Sequence, residues 1–250
     1  MSDIVCYDVH TNESHDMAKR NRKSQVIHHD FRYGQFWLKN LKPKTYKQGQ
    51  VIQSWTDGKN LVLSGFAGTG KSYLALHLGL SAVRANEQDQ VVIVRSIVPT
   101  REIGHLPGSE QEKIGIYEQP YWSLCHQLTG EVNAYNELKS AGQIDFISTS
   151  FIRGLTLDNK VLFIDEFQNL NGHELDSILT RVGRNTRLIL SGDVFQSDFR
   201  NDREKASSVA VMSILNKCES FNMIEFDQYE DIVRSDFVRE YIIARRELAA

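Results

Sequence analysis

The chain has 250 residues, 41% of them hydrophobic and 24% charged, and 29 basic against 32 acidic side chains leave a formal net charge of -3. That is enough for one domain with a full core, and it excludes both a disordered chain and a globally basic nucleic-acid binder, so any nucleic-acid contact must be local. Cys6, Cys125 and Cys218 are scattered and odd in number, which fits neither a disulfide framework nor a CxxC metal site and points to a reducing cytosol. No apolar run approaches the roughly 18 residues a membrane span needs, so neither membrane insertion nor secretion is expected.

Residues 1–42 read as a polar, partly mobile N-terminal extension that holds the basic cluster Lys19, Arg20, Arg22 and Lys23. Residues 43–250 read as one domain. Within it, short apolar runs at 60–64, 91–95, 144–148, 161–165, 187–191 and 222–226 alternate with helix-compatible stretches at 71–86, 120–140, 173–182, 204–216 and 231–247. Several runs are nearly continuous in Val, Ile and Leu, as strands buried on both faces are. The expected fold class is therefore α/β, a mostly parallel sheet with helices on both faces. The segment 96–120, with Pro99, Gly104, Pro107, Gly108 and Gly115, reads as a long loop.

Gly65-Phe66-Ala67-Gly68-Thr69-Gly70-Lys71-Ser72 matches the spacing GxxxxGK[ST] and lies between the first strand and the first helix of the domain. The glycines adopt conformations other residues avoid, so successive backbone N–H groups can turn toward phosphate oxygens, and the helix N-terminus adds its positive end. In that setting Lys71 would reach the β- and γ-phosphates and the Ser72 hydroxyl would ligate magnesium. The implied cofactor is Mg2+ with a nucleoside triphosphate, ATP if the base is adenine.

After the apolar strand Val161-Leu162-Phe163-Ile164 comes the pair Asp165-Glu166. Asp165 would hold magnesium through its water shell, and Glu166 would act as general base on the attacking water, which favours hydrolysis over simple nucleotide binding. A third segment, Gly192-Asp193-Val194-Phe195-Gln196, also follows an apolar strand, so Asp193 and Gln196 are expected in the same crevice, with Gln196 sensing the γ-phosphate or orienting water.

The order of these segments resembles the PhoH family of P-loop ATPases. The resemblance rests on GFAGTGKSYLA at 65–75, REIGHLPG at 101–108 followed by Lys113 and Pro120-Tyr121, and RGLTLDNKVLFIDEFQN at 153–169, then on LTRVG at 179–183, GDVFQSD at 192–198 and DIVRSDFV at 231–238. It implies a RecA-like P-loop NTPase similar to the ATPase core of superfamily one helicases, ATP hydrolysis, and a link to single-stranded RNA. It further implies that Gln48 reads the adenine edge and that Arg234, with Arg181 as a second candidate, stabilises γ-phosphate charge. The chain length resembles the short versions found in phage genomes, which would put the protein in a host cytoplasm.

For RNA, the expected contacts are Arg95, Arg101, His105, Lys113, Tyr121, Trp122 and Arg153, since basic groups near aromatic ones can track a backbone and stack bases. The alternative reading is an ATP-controlled homo-oligomeric switch with no nucleic-acid coupling. A metabolic phosphotransferase is disfavoured, because Glu166 suits water as the acceptor.

Overall fold

The computed structural model describes residues 36–96, 110–152, 154–193 and 202–248, without the side chains of 110–113, 150 and 202–208. The strands are β1 (Asn60–Gly65), β2 (Gln90–Arg95), β3 (Ile144–Ser148), β4 (Lys160–Asp165), β5 (Arg187–Ser191) and β6 (Phe221–Phe226). They form one six-stranded sheet in the order β3-β2-β4-β5-β1-β6, and every pairing is parallel. One strand, β5, separates the strand that feeds the phosphate loop from the strand that ends in the acidic pair. The fold is α/β with an all-parallel sheet covered on both faces, as expected.

The continuous apolar runs are explained by two cores. Leu61, Leu63, Val91, Ile93, Val161 and Phe163 enter one cluster, while their alternate neighbours Val62, Val92, Val94, Leu162 and Ile164 enter the other. Successive strand side chains point to opposite faces, so a strand covered on both faces must be apolar at every position. Burying each such side chain contributes roughly 1.5–3 kcal/mol.

The helices are α1 (Tyr46–Thr56), α2 (Lys71–Arg84), α3 (Glu110–Thr129), α4 (Ala134–Ser140), α5 (Gly172–Leu179), α6 (Asp202–Leu215) and α7 (Asp236–Glu247). Four differences from the sequence expectation bear on the site. First, α1 was not expected; it is polar, buries only Gln48, Val51, Ser54 and Trp55, and starts at a Thr45 cap that accepts from Gln48 N. Second, the helix expected at 120–140 is two helices, broken at Gly130 with φ +80°, and its first part starts ten residues earlier, inside the expected long loop. Third, the segment at 36–42 packs on the domain: Phe36 and Leu38 are buried, and Lys39 N donates to Leu128 O at 2.9 Å. Fourth, the last helix starts at Asp236 rather than 231, because residues 232–235 run over the phosphate loop, where Val233 N donates to Gly68 O at 3.0 Å.

Candidate nucleotide site

The phosphate loop leaves β1 at Gly65, whose φ is +107° and where an added Cβ would lie 2.3 Å from the Phe226 carbonyl oxygen of β6. Only glycine permits that approach. Phe66 N donates to the same oxygen at 2.8 Å, so the loop starts from a fixed point on the sheet. Thr69 Oγ1 donates to Phe66 O at 3.0 Å and closes the loop on itself. Gly70, left-handed at φ 85°, then delivers the chain into α2.

The Lys71 ammonium donates to Gly65 O at 2.8 Å and Phe66 O at 2.6 Å. Burial lowers its pKa, opposed by the nearby charges of Asp193, Glu166 and Asp165. Ser72 Oγ donates to Asp165 Oδ1 at 3.1 Å, which joins the two elements of the expected metal site across 93 residues of sequence. Burial and the neighbouring Glu166 charge raise the pKa of Asp165. Glu166 sits in the left-handed region, φ 53° and ψ 43°, at the start of a 3-10 turn. A glutamate there carries local strain of order 1 kcal/mol, and its carboxylate is held in hydrogen-bond contact with Gln168 Nε2.

These residues share one cavity of about 570 Å³, lined by Gly68, Lys71, Ser72, Asp165, Glu166, Asp193 and Arg234 among others. Ala67 and Gly70 also line it. The Arg234 stem lies against Gly68, where an added Cβ would be 2.7 Å from its Cγ. Arg234 thus reaches the cavity of its own chain. Arg181 does not: its carbonyl accepts Leu157 N at 3.1 Å, ahead of β4 and at the opposite end of the strands from the cavity.

An adjoining cleft of about 500 Å³ is lined by Lys42, Lys44, Gln48, Tyr73, Val233 and Arg234, and shares Gly68 and Gly70 with the first. Gln48 Nε2 donates to Thr69 O at 2.9 Å while its Oε1 accepts Lys44 N at 2.8 Å. Gln48 therefore braces the phosphate loop from α1, whatever else it touches.

The oxygen donors Ser72 and Asp165 fit magnesium, a hard cation that keeps several waters and binds through one or two carboxylates plus substrate phosphates. Among the described residues, no group of three or more His, Cys, Asp or Glu side chains could hold a metal ion.

Several expected residues fall elsewhere. Gln196, Arg101, His105 and Arg153 lie outside the described residues, as does the Lys113 side chain. Tyr121, expected among the RNA contacts, is a correction: its ring is fully buried and its hydroxyl donates to Asp165 Oδ2 at 2.8 Å. A side chain with no exposed surface cannot stack on a base. Arg95 lines the main cavity and lies 5.9 Å from the Tyr117 ring centre, while Trp122 is partly exposed beside Tyr135.

Two features were not anticipated from the sequence. Gln168 is buried, and its Oε1 accepts Asp193 N at 3.0 Å while its amide holds Glu166. Phe66 in the loop stacks on Tyr229, with ring centres 5.5 Å apart, and the Arg246 guanidinium lies 4.6 Å from the Phe66 ring centre. Neither pattern has a spacing rule; the only signal for Gln168 was its place two residues after the acidic pair in Asp-Glu-Phe-Gln.

The parallel sheet, the glycine-rich loop at the end of β1 and the acidic pair at the end of β4 together define a P-loop NTPase. The family profile for PhoH-like protein matches residues 40–245. A PhoH-like protein of Synechocystis sp. is 31% identical over 205 residues, covering 82% of this chain and 62% of its own length. One from Bacillus subtilis is 30% identical over 207 residues, covering 82% and 64%. Protein PhoH2 of Bacillus subtilis is 35% identical over 167 residues, 63% of this chain and 37% of that protein. The chain belongs to the PhoH-like protein family, and it spans less than two thirds of the length of these relatives. Among solved structures, the large terminase of a thermophilic bacteriophage is similar over 80% of this chain and 50% of its own, at 14% identity and a TM-score of 0.49. The Pif1 helicase of Candida albicans is similar over 76% and 41%, at 18% identity and 0.37.

Proposed function

We propose that the chain is a magnesium-dependent ATPase whose hydrolysis is coupled to single-stranded RNA. The observation that carries the hydrolysis reading is the convergence of Lys71, Ser72, Asp165, Glu166 and Arg234 on one cavity. The phosphates lie along Gly65–Ser72, where Lys71 exchanges the Gly65 and Phe66 carbonyls for phosphate oxygens. Ser72 and Asp165 hold the metal, which when bound neutralises charge on the β- and γ-phosphates. Glu166 takes the proton of the attacking water, and Arg234 meets the charge that develops on the transferred phosphoryl group. Gln196 orients that water or senses the γ-phosphate. The base enters the adjoining cleft beside Gln48, and the family resemblance, in which this glutamine reads the adenine edge, supports adenine as the base. The RNA part rests on the family's resemblance to helicase cores, and among described residues on Arg95 and the partly exposed Trp122.

A second reading, an ATP-controlled homo-oligomeric switch, is favoured by the exposed α7 side chains Phe237 and Tyr241 with Leu248 just beyond, and by Arg181, exposed and away from its own cavity. One experiment separates the two. Steady-state ATP hydrolysis is measured without polymer, with single-stranded RNA and with single-stranded DNA, alongside the solution mass with and without ATP. Stimulation by RNA supports the first reading; a mass change with ATP and indifference to both polymers would replace it with the second.

A further inference from the structure

Tyr121 stands 44 residues before Asp165 in the sequence, on a helix outside the phosphate loop, yet its hydroxyl donates to Asp165 Oδ2 at 2.8 Å. The other oxygen of the same carboxylate accepts Ser72 Oγ at 3.1 Å. Each carboxylate oxygen thus has one directed O–H donor, which fixes both the plane and the rotamer of the group.

The phenol is itself held in place. The Tyr121 ring has no exposed surface and packs against Phe146 and Phe163, with ring centres 5.9 and 6.1 Å away. The Arg95 guanidinium, at the end of β2, lies close enough to the same hydroxyl to interact with it electrostatically. An ionised carboxylate only accepts, so the phenol points its own proton at Asp165.

We infer that Tyr121 is a positioning residue for magnesium: it occupies Asp165 Oδ2, and so keeps Oδ1 turned to the Ser72 hydroxyl where the ion is to be held. This role rests on the reading of Ser72 and Asp165 as the metal-holding pair. Outer hydrogen-bond partners that orient a metal-holding carboxylate are worth roughly ten- to a hundredfold in metal affinity.

The test uses the full chain carrying Glu166→Gln, so that ATP persists, and reads Mn2+ affinity for the ATP-loaded protein by electron paramagnetic resonance. ATP affinity in EDTA is read in parallel. Tyr121→Phe keeps the packed ring and removes only the hydroxyl. Tyr135→Phe, which removes the buried donor to Glu118 on the neighbouring helix, serves as the control for a lost phenol remote from the metal. The expected result is a fall of about tenfold in Mn2+ affinity for Tyr121→Phe, an unchanged metal-free ATP affinity, and no Mn2+ effect in Tyr135→Phe. Unchanged Mn2+ affinity in Tyr121→Phe would overturn the inference, as would an equal loss with and without metal or an equal loss in both variants. Failure of the Glu166→Gln parent to bind Mn2+ with ATP would instead sink the assignment of Ser72 and Asp165.

Discussion

The Gln168 side-chain oxygen accepts the backbone N–H of Asp193 at 3.0 Å, tying the turn after β4 to the end of β5. Since the same side chain holds Glu166 through its amide, the proposed general base is positioned from the neighbouring strand. Gln168→Ala is expected to lower kcat by about a hundredfold, the order of loss a misplaced catalytic group produces, with ATP affinity little changed. Steady-state kinetics with a parallel binding titration checks this, and a fall in affinity with kcat preserved would count against it.

Arg234 packs on Gly68 and lines the cavity of its own chain. Arg234→Ala should lower hydrolysis on the order of a thousandfold, the lower end of what such arginines supply. An equimolar mixture of Arg234→Ala and Lys71→Ala chains should stay inactive. Recovery of activity on mixing would mean that Arg234 serves a neighbouring copy instead.

At Gly65, a methyl group would meet the Phe226 carbonyl at 2.3 Å in a backbone conformation, φ +107°, that other residues rarely adopt. Gly65→Ala is therefore expected to destabilise the domain by about 2 kcal/mol or more, read from denaturant unfolding. An unchanged midpoint and slope would show that β1 and β6 do not meet this closely.

His77 on α2 donates from Nε2 to Lys39 O at 2.6 Å, and its Nδ1 lies 3.2 Å from the Ser81 hydroxyl, which donates to it when the ring is neutral. Burial lowers its pKa below the ordinary 6.5, against the Lys39 hydrogen bond and with help from Arg84. A depressed folded-state pKa means that the unfolded chain takes up the proton first. The contribution is thus complete above pH 6.5 and is lost as pH falls below it. Wild-type Tm should fall between about pH 7.5 and 5.5 more steeply than that of His77→Gln. Parallel Tm profiles would contradict this.

The sheet was legible because strands buried on both faces must be apolar at every position, and the phosphate loop and acidic pair because their chemistry demands fixed residue types at fixed spacing. Other elements carried no such signal. The helix α1 is mostly polar, so periodicity did not separate it from a loop, yet it supplies Gln48 to the phosphate loop. Gly115 read as loop punctuation and Pro120 as the start of a helix, although both lie within α3. Tyr121 and Gln168 act through contacts that exist only once α3, β4 and β5 are packed, so residue type placed Tyr121 on the surface and left Gln168 without a role.

The most direct test compares wild type with Glu166→Gln for ATP binding and for single-turnover hydrolysis in magnesium. The variant is expected to bind ATP within a few-fold of wild type while its hydrolysis falls roughly a hundred- to ten-thousandfold, the range a general base supplies. Near-normal hydrolysis by Glu166→Gln would contradict the assignment of the base, and with it the reading of the cavity as a hydrolytic site built around Asp165 and Glu166.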